Sequence, residues 1–232
     1  MTGGRARRGV LFDLDGTLVD TGYIHAVCWW EALRQYDHLV PMAVIHRAVG
    51  MGSDKLLSHV LGTGHDTSRD SDMAAAHGVL FSTWHSRICP LPGARDLLVK
   101  CAALGLAVVV ATSSPQRDLD ALRKALDADP YIDAVTTSSD ADESKPSPDI
   151  LSAALERAEL SVSQVIFVGD AIWDVAASAQ LGIRCIGLES GGTSDSELRR
   201  AGAVEVWKDP ADLLHNIDTS ILTDLLSEAS GN

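Results

Sequence analysis

The sequence predicts an α/β fold: a parallel β-sheet with helices on both faces, interrupted after its first strand by a small helical module. Three observations carry this. Short continuous apolar runs, VLF at 10–12, LAVVVA at 106–111 and VIFV at 165–168, have the length of strands buried on both faces. Helix-periodic segments alternate with such runs from residue 95 onward. Between residues 21 and 89 strand-like runs vanish and helical periodicity takes over. The expected division is therefore a sheet core over 1–20 and 90–232, with a helical module over 21–89.

Taken in order, Val10, Leu11 and Phe12 end at Asp13, so the first strand delivers a carboxylate to the edge of the sheet. Gly16 permits a backbone turn that a side chain would obstruct. In the module, Ile24, Val27, Cys28, Ala32 and Leu33 recur at helical spacing, and Leu56, Leu57, Val60 and Leu61 form a second amphipathic group. Pro41 can open a helix, the glycines at 50 and 52 break one, and a third helix is expected over about 72–87. The chain returns through the turn-forming Pro90, Leu91, Pro92 and Gly93. Residues 95–104 then read as helix ending at Gly105, a C-terminal cap. Strand 106–111, helix 118–126, a weaker strand 131–137, helix 148–158 and strand 165–168 follow. Helix 175–181, strand 185–188 and an edge strand 204–207 complete the alternation. Ligands in such sheets bind outside the carboxyl ends of the strands.

A chain of 232 residues is long enough to bury a sizeable core. Its formal net charge of −13 repels nucleic acid and anionic membranes at long range, so neither is an expected partner. Cys28, Cys89, Cys101 and Cys185 lie far apart without a CxxC spacing, which indicates neither a zinc ribbon nor a disulfide framework. Reduced thiols in the cytoplasm are the simplest expectation. The basic start, MTGGRARRG, has no long apolar segment behind it and reads as a solvated end; the last residues, SEASGN, read as frayed.

Four segments carry chemistry, each at a predicted strand end. In GVLFDLDGTLVD, Asp13 and Asp15 are close enough to be costly unless they are used: a divalent cation would hold one ionised while the other shuttles a proton. Alone, the pair also reads as a polar turn. In AVVVATSSP the apolar run stops at Thr112 and Ser113, and Ser114 with Pro115 opens a helix as N-cap and first residue, which suits a phosphate or is simply a capped start. Lys145 in DESKPSPDI places a cation near the same crevice or lies in solvent. In VIFVGDAIWD, Asp170 and Asp174 sit a helical turn apart, where two carboxylates and a carbonyl suffice for Mg2+, or where the helix dipole stabilises acids.

In this order, DLDGT, the TSS segment, the lysine of KPSPD and GDAIWD resemble the motifs of the haloacid dehalogenase superfamily, in its phosphoglycolate phosphatase and β-phosphoglucomutase-like subgroup. The resemblance spans nearly the whole chain. It implies a Rossmann-like core with an inserted helical cap, and an Mg2+-dependent phosphatase working through an aspartyl-phosphate. Asp13 would be the nucleophile and Asp15 the general acid and base. Thr112 and Ser113 would donate to the phosphoryl group, and Lys145 would neutralise it. The metal would be held by Asp13, the Asp15 carbonyl and Asp170, with Asp174 acting through water or orienting Lys145.

Substrate choice would come from the cap, where His25, Arg47, Ser53, Asp54 and Lys55 are the polar residues of interest and Gly16 borders the phosphate. Seven of the eight histidines fall in or near the module, yet none forms an HExxH pairing, so no second metal site is read from them. Trp173 reads as a packing residue, and Gly191 and Gly192 as a loop near the crevice. The expected substrate is a small phosphorylated metabolite of the phosphoglycolate or sugar-phosphate class, and the expected state a monomer or weak homodimer. A phosphomutase is the alternative, weakened because GMGSDKLL lacks an arginine for a sugar-phosphate clamp. A phospho-acceptor switch is disfavoured by Asp15 and the long insertion.

Overall fold

A computed structural model describes residues 7–227; residues 1–6 and 228–232, and with them most of both expected frayed ends, lie outside it. The chain runs β1 (Gly9–Phe12), then α1 (Gly22–Arg34), α2 (Met42–Ala48), α3 (Ser53–Leu61) and α4 (Asp70–Ser82). It continues α5 (Ala94–Ala103), β2 (Ala107–Ala111), α6 (Gln116–Leu126), β3 (Ala134–Thr136), α7 (Asp149–Ala158) and β4 (Val165–Gly169). It closes with α8 (Ile172–Leu181), β5 (Arg184–Leu188), α9 (Asp195–Ala201), β6 (Glu205–Trp207), α10 (Pro210–His215) and a last short helix α11 (Asp224–Ser227).

All strand pairs are parallel, in the order β3-β2-β1-β4-β5-β6. The chain leaves β1 in one direction and returns to β4 on its other side, so the strand order reverses between β1 and β4. That reversal opens a crevice beyond the carboxyl ends of the two strands. Phe12 pairs with Val110 on one side and Val168 on the other, which brings Asp13, Thr112 and Asp170 close to one level.

The alternation of side chains explains why β1 is apolar throughout. Val10 and Phe12 pack with Val108, Val110, Ile166 and Val168 under α5, α6 and α10, whereas Leu11 packs with Val109 and Phe167 against α7 and α8. The four inserted helices bury a third cluster of their own, with Trp29, Leu33, Ile45, Leu57 and Met73. Cys28 of α1 and Phe81 of α4 belong instead to the sheet-side cluster and tie the insertion down.

Element ends differ from expectation for identifiable reasons. The helix expected over 72–87 stops at Ser82, and His85–Arg87 form a separate 3-10 turn. The strand expected over 131–137 shrinks to Ala134–Thr136, because Pro130, which has no amide to donate, sits in a 3-10 turn over Asp129–Tyr131. Arg7 and Arg8, expected in solvent, are tied to the core: Arg7 donates to the Ala158 carbonyl at 3.1 Å and pairs with Asp133, and Arg8 donates to the Leu225 carbonyl. No helix among the described residues is long and apolar enough to cross a membrane.

Candidate active site

The site begins where β1 ends. The Asp13 amide continues the ladder to the Val168 carbonyl at 2.9 Å, so its carboxylate is fixed beside β4. The chain then turns through Gly16, whose φ of 81° lies in the left-handed region and where a Cβ would stand 2.6 Å from Asp170 Oδ2. Only glycine lets this loop press against the end of β4. Thr17 uses that proximity, donating to Asp170 Oδ1 at 2.8 Å. From the other side Gly191 closes in, with no room for a side chain against the Asp170 carboxylate, and Ser190 donates to the Gly16 carbonyl at 2.7 Å. The glycine loop after β5 thus forms a wall of the site.

Lys145, fully buried, spans two acids: Nζ donates to Asp13 Oδ1 at 2.5 Å and lies 2.8 Å from Asp174 Oδ1. Asp174 Oδ2 accepts the Ala171 amide at 3.0 Å, a cap that starts α8 at Ile172 rather than at the expected Val175. Although Asp174 Oδ1 lies within ion-pair distance of Lys145, it receives no well-directed hydrogen bond and is an orphaned buried acceptor. Oxygens of Asp13, Asp170 and Asp174 all lie within 4.8 Å of one another. Three buried carboxylates are thus clustered, and two of them contact one ammonium. Burial, offset in part by Lys145 but aided by Asp174, pushes Asp13 up to about 7. Burial and the neighbouring Asp174 and Asp13 raise Asp170 well above its ordinary value. Burial works against the Lys145 ammonium, yet Asp13 and Asp174 overcome it and raise its pKa. An all-oxygen set with surplus negative charge and an unused lone pair fits a hard divalent cation such as Mg2+.

Asp15 meets different surroundings. Its Oδ1 accepts Thr21 Oγ1 at 2.7 Å and contacts His25 Nε2 at 3.1 Å, and its Oδ2 accepts Ser114 Oγ at 2.5 Å and Thr112 Oγ1 at 3.4 Å. Burial alone would raise this acid, but His25, Ser114 and Thr21 outweigh it and bring it down to about 2. Ser114 therefore does not cap a helix as expected. Pro115 occupies the N-cap of α6, and the Ser114 hydroxyl goes to Asp15, while its amide donates to Thr112 Oγ1 at 3.0 Å.

A cavity of about 510 Å³ opens over Asp13, Asp15, Thr112, Ser113 and Ser114, with His25, Ser53, Asp54 and His77 of the insertion opposite and Arg117 at its side. Ser113 reaches across it, donating to the Gly50 carbonyl at 3.3 Å. Three expected substrate residues are not in this group: Gly16, which presses on Asp170 instead, Arg47 and Lys55. Arg47 Nη1 is paired with Glu197 at 2.9 Å and faces a separate cavity of about 480 Å³ between α2 and α9, with Asp170 on its inner wall. Lys55 is paired with Glu143 at 2.8 Å. Both helix faces present their cations to acids of the core instead of to the crevice. Trp173 bridges the same seam, its indole donating to the Arg47 carbonyl at 2.9 Å.

The sequence reading missed Thr17, Thr21 and Ser114 as partners of the acids, and missed His77 and Arg117. The hydroxyls were legible in principle, since Thr17 and Ser114 lie within segments already singled out and Thr21 directly follows one. His77 Nε2 lies 3.1 Å from His25 Nδ1, and its ring stacks on Trp29 at 4.2 Å, a contact only the packing of α1 on α4 creates.

The sequence matches the haloacid dehalogenase-like hydrolase family over residues 8–182. The chain belongs to this family. A phosphoglycolate phosphatase of Shigella boydii serotype 4 (strain Sb227) is 32% identical over 208 residues, covering 79% of this chain and 82% of the relative. A hydrolase from Pseudomonas syringae superposes with a TM-score of 0.87 at 32% identity, covering 92% of this chain and 99% of that one. The β-phosphoglucomutase of Clostridium difficile shares the fold, with a TM-score of 0.80 at 17% identity over 95% of this chain and 99% of its own. This haloacid dehalogenase-like hydrolase is a phosphatase.

Proposed function

We propose that the chain hydrolyses a small phosphorylated metabolite of the phosphoglycolate or sugar-phosphate class with the help of Mg2+, through an aspartyl-phosphate on Asp13. One observation carries this reading: two acids two positions apart are given different partners, Asp13 the Lys145 ammonium at 2.5 Å and Asp15 the imidazole of His25 at 3.1 Å with the hydroxyls of Thr21 and Ser114. A carboxylate fixed on a cation suits attack on phosphorus and one beside an imidazole suits proton transfer; without metal, burial leaves Asp13 the more basic of the two, so its ionisation calls for the added positive charge of Mg2+. The phosphoglycolate phosphatase relatives support the substrate class.

Asp13, Asp170 and the Asp15 main-chain carbonyl would hold Mg2+, with Asp174 engaged indirectly; when bound, the ion supplies positive charge for Asp13 and the phosphoryl oxygens. Asp13 attacks phosphorus as the bond to the alcohol oxygen breaks. Lys145 stays on the attacking carboxylate while the Thr112 hydroxyl and the Ser113 amide bind phosphoryl oxygens. Gly16 keeps the loop close enough for that fit. Asp15 gives its proton to the leaving alkoxide. It is ionised in the free enzyme, so an arriving phosphoryl dianion must first raise it, and His25 Nε2, 3.1 Å away, is the imidazole on the same carboxylate with which it exchanges a proton. Asp15 then takes a proton from the water that releases phosphate from Asp13.

We assign residues 1–20 and 90–232 to the catalytic core and 21–89 to a cap that excludes water, and we place the enzyme in the cytoplasm. Phosphate release from 2-phosphoglycolate and p-nitrophenyl phosphate with Mg2+ is the test. Asp13→Asn is expected to lower it by at least about a thousandfold, and retained activity would refute the role of Asp13. Conversion of glucose 1-phosphate to glucose 6-phosphate without phosphate release would assign a mutase instead.

A further inference from the structure

The crevice contains one cation that the mechanism does not use. Arg117 is the second residue of α6 and lines the same cavity as Asp13, Asp15 and Thr112. No other lysine or arginine lines that cavity among the described residues, since Arg47 and Lys55 are engaged by Glu197 and Glu143. Among the described residues, the only ionic contact of Arg117 is a long one, Nε to Asp118 Oδ2 at 3.7 Å, and neither Nη atom has a hydrogen bond. The Asp118 carboxylate is buried and shared with His85 Nε2 at 3.1 Å, so the outer edge of the guanidinium is left for something else.

The guanidinium is seated in a notch. Gly78 lies buried in the middle of α4, and its backbone does not require glycine, because it is absent from the left-handed positions. Glycine inside a helix costs about 1 kcal/mol relative to alanine. The gap it leaves is filled by Arg117: a Cβ at Gly78 would stand 2.2 Å from Nη2 and 2.7 Å from Cζ. The guanidinium, on a side chain that is 58% exposed, thus lies against α4 at a position where any side chain would make it swing aside. His77, the neighbouring residue, lines the cavity too, and burial keeps its ring from adding positive charge there.

We propose that Arg117 binds a second anionic group, a carboxylate or a phosphate, on the alcohol side of the phosphomonoester, and so selects doubly anionic metabolites over neutral polyol phosphates. The inference rests on the phosphatase reading above, which leaves Arg117 without a role. A planar guanidinium with two free Nη atoms matches the two oxygens of a carboxylate or phosphate, and a lysine would not reproduce the pairing.

The test compares 2-phosphoglycolate, fructose 1,6-bisphosphate and the neutral 2-hydroxyethyl phosphate as substrates. Wild type is expected to prefer at least one of the two anionic compounds, and which one it prefers identifies the group. In Arg117→Ala the ratio of kcat/KM for that compound over 2-hydroxyethyl phosphate is expected to fall roughly ten- to hundredfold, through KM, with Arg117→Lys recovering part of it. Gly78→Ala, which favours the helix but displaces the guanidinium, is expected to shift the ratio in the same direction. Calorimetric titration of the same ligands into Asp13→Asn protein, with and without Arg117→Ala, reads the subsite independently of turnover. If wild type releases no phosphate but the binding difference persists, the phosphatase reading falls and the subsite stands. A preference ratio unchanged in Arg117→Ala, or equal binding of the preferred anionic ligand with and without Arg117, overturns the proposal.

Discussion

At the scale of single residues the site is a problem in sharing charge. Asp13, Asp170 and Asp174 compete for Lys145, and the excess negative charge makes the metal-free protein sensitive to pH. Asp13 has a folded pKa of about 7, above its unfolded value of 3.8. Its contribution to stability is therefore full below pH 3.8 and is lost as pH rises through about 7. Asp15 has the opposite sign: with its folded value at about 2, its contribution is present above 3.8 and is lost on acidification through about 2. In EDTA, the melting temperature of wild type minus that of Asp13→Asn is expected to fall between pH 4 and pH 8. Mg2+ is expected to raise the wild-type value more at pH 8 than at pH 5. Parallel curves for the two proteins would show that Asp13 is not the strained acid. Asp13 and Asp170 were legible in the sequence because each directly follows a buried strand, whereas Lys145, in the loop between β3 and α7, was legible only through the resemblance of KPSPD to a family motif. Arg117 was not, because its notch is a glycine on another helix.

At the scale of elements, strands were the more legible. Their continuous apolar runs reflect burial on both faces, and β1, β2, β4 and β5 appear within a residue or two of where the pattern places them. Helix starts moved because side chains chose other partners: Ser114 went to Asp15, and Asp174 capped Ala171. The charged faces of α2 and α3 were the least legible, since periodicity marks which face is buried but not what the exposed face meets. Arg47 and Glu197 form a half-exposed pair, and solvent and salt screen such pairs so that they add little to stability. Arg47→Ala is accordingly expected to change the kcat/KM for 2-phosphoglycolate by less than about threefold and the melting temperature by no more than a few degrees. A large rise in KM would return Arg47 to the role its sequence position first implied.

At the scale of the whole molecule, the insertion and the sheet are joined through the site. The insertion has its own buried cluster, which alone would let it unfold separately. Phe81 argues against that. It sits on α4, yet it is buried with Leu18, Val19 and Leu119 in the sheet-side cluster, and its ring stacks on His25 at 4.1 Å. One side chain thus links the inserted helices, the sheet core and the histidine that holds Asp15. Phe81→Ala is expected to destabilise the protein by about 3–5 kcal/mol. Because the link would be weakened without separating the two clusters completely, urea unfolding followed by tryptophan fluorescence and by far-ultraviolet circular dichroism is expected to remain one coincident transition. The four tryptophans outside β6 are Trp29, Trp30, Trp84 and Trp173, three of them within the inserted segment, so fluorescence weights the insertion and dichroism the whole fold. A fluorescence transition that precedes the dichroism change in wild type would mean that the insertion is an independent unit, and that Phe81 packs against the core without coupling the two.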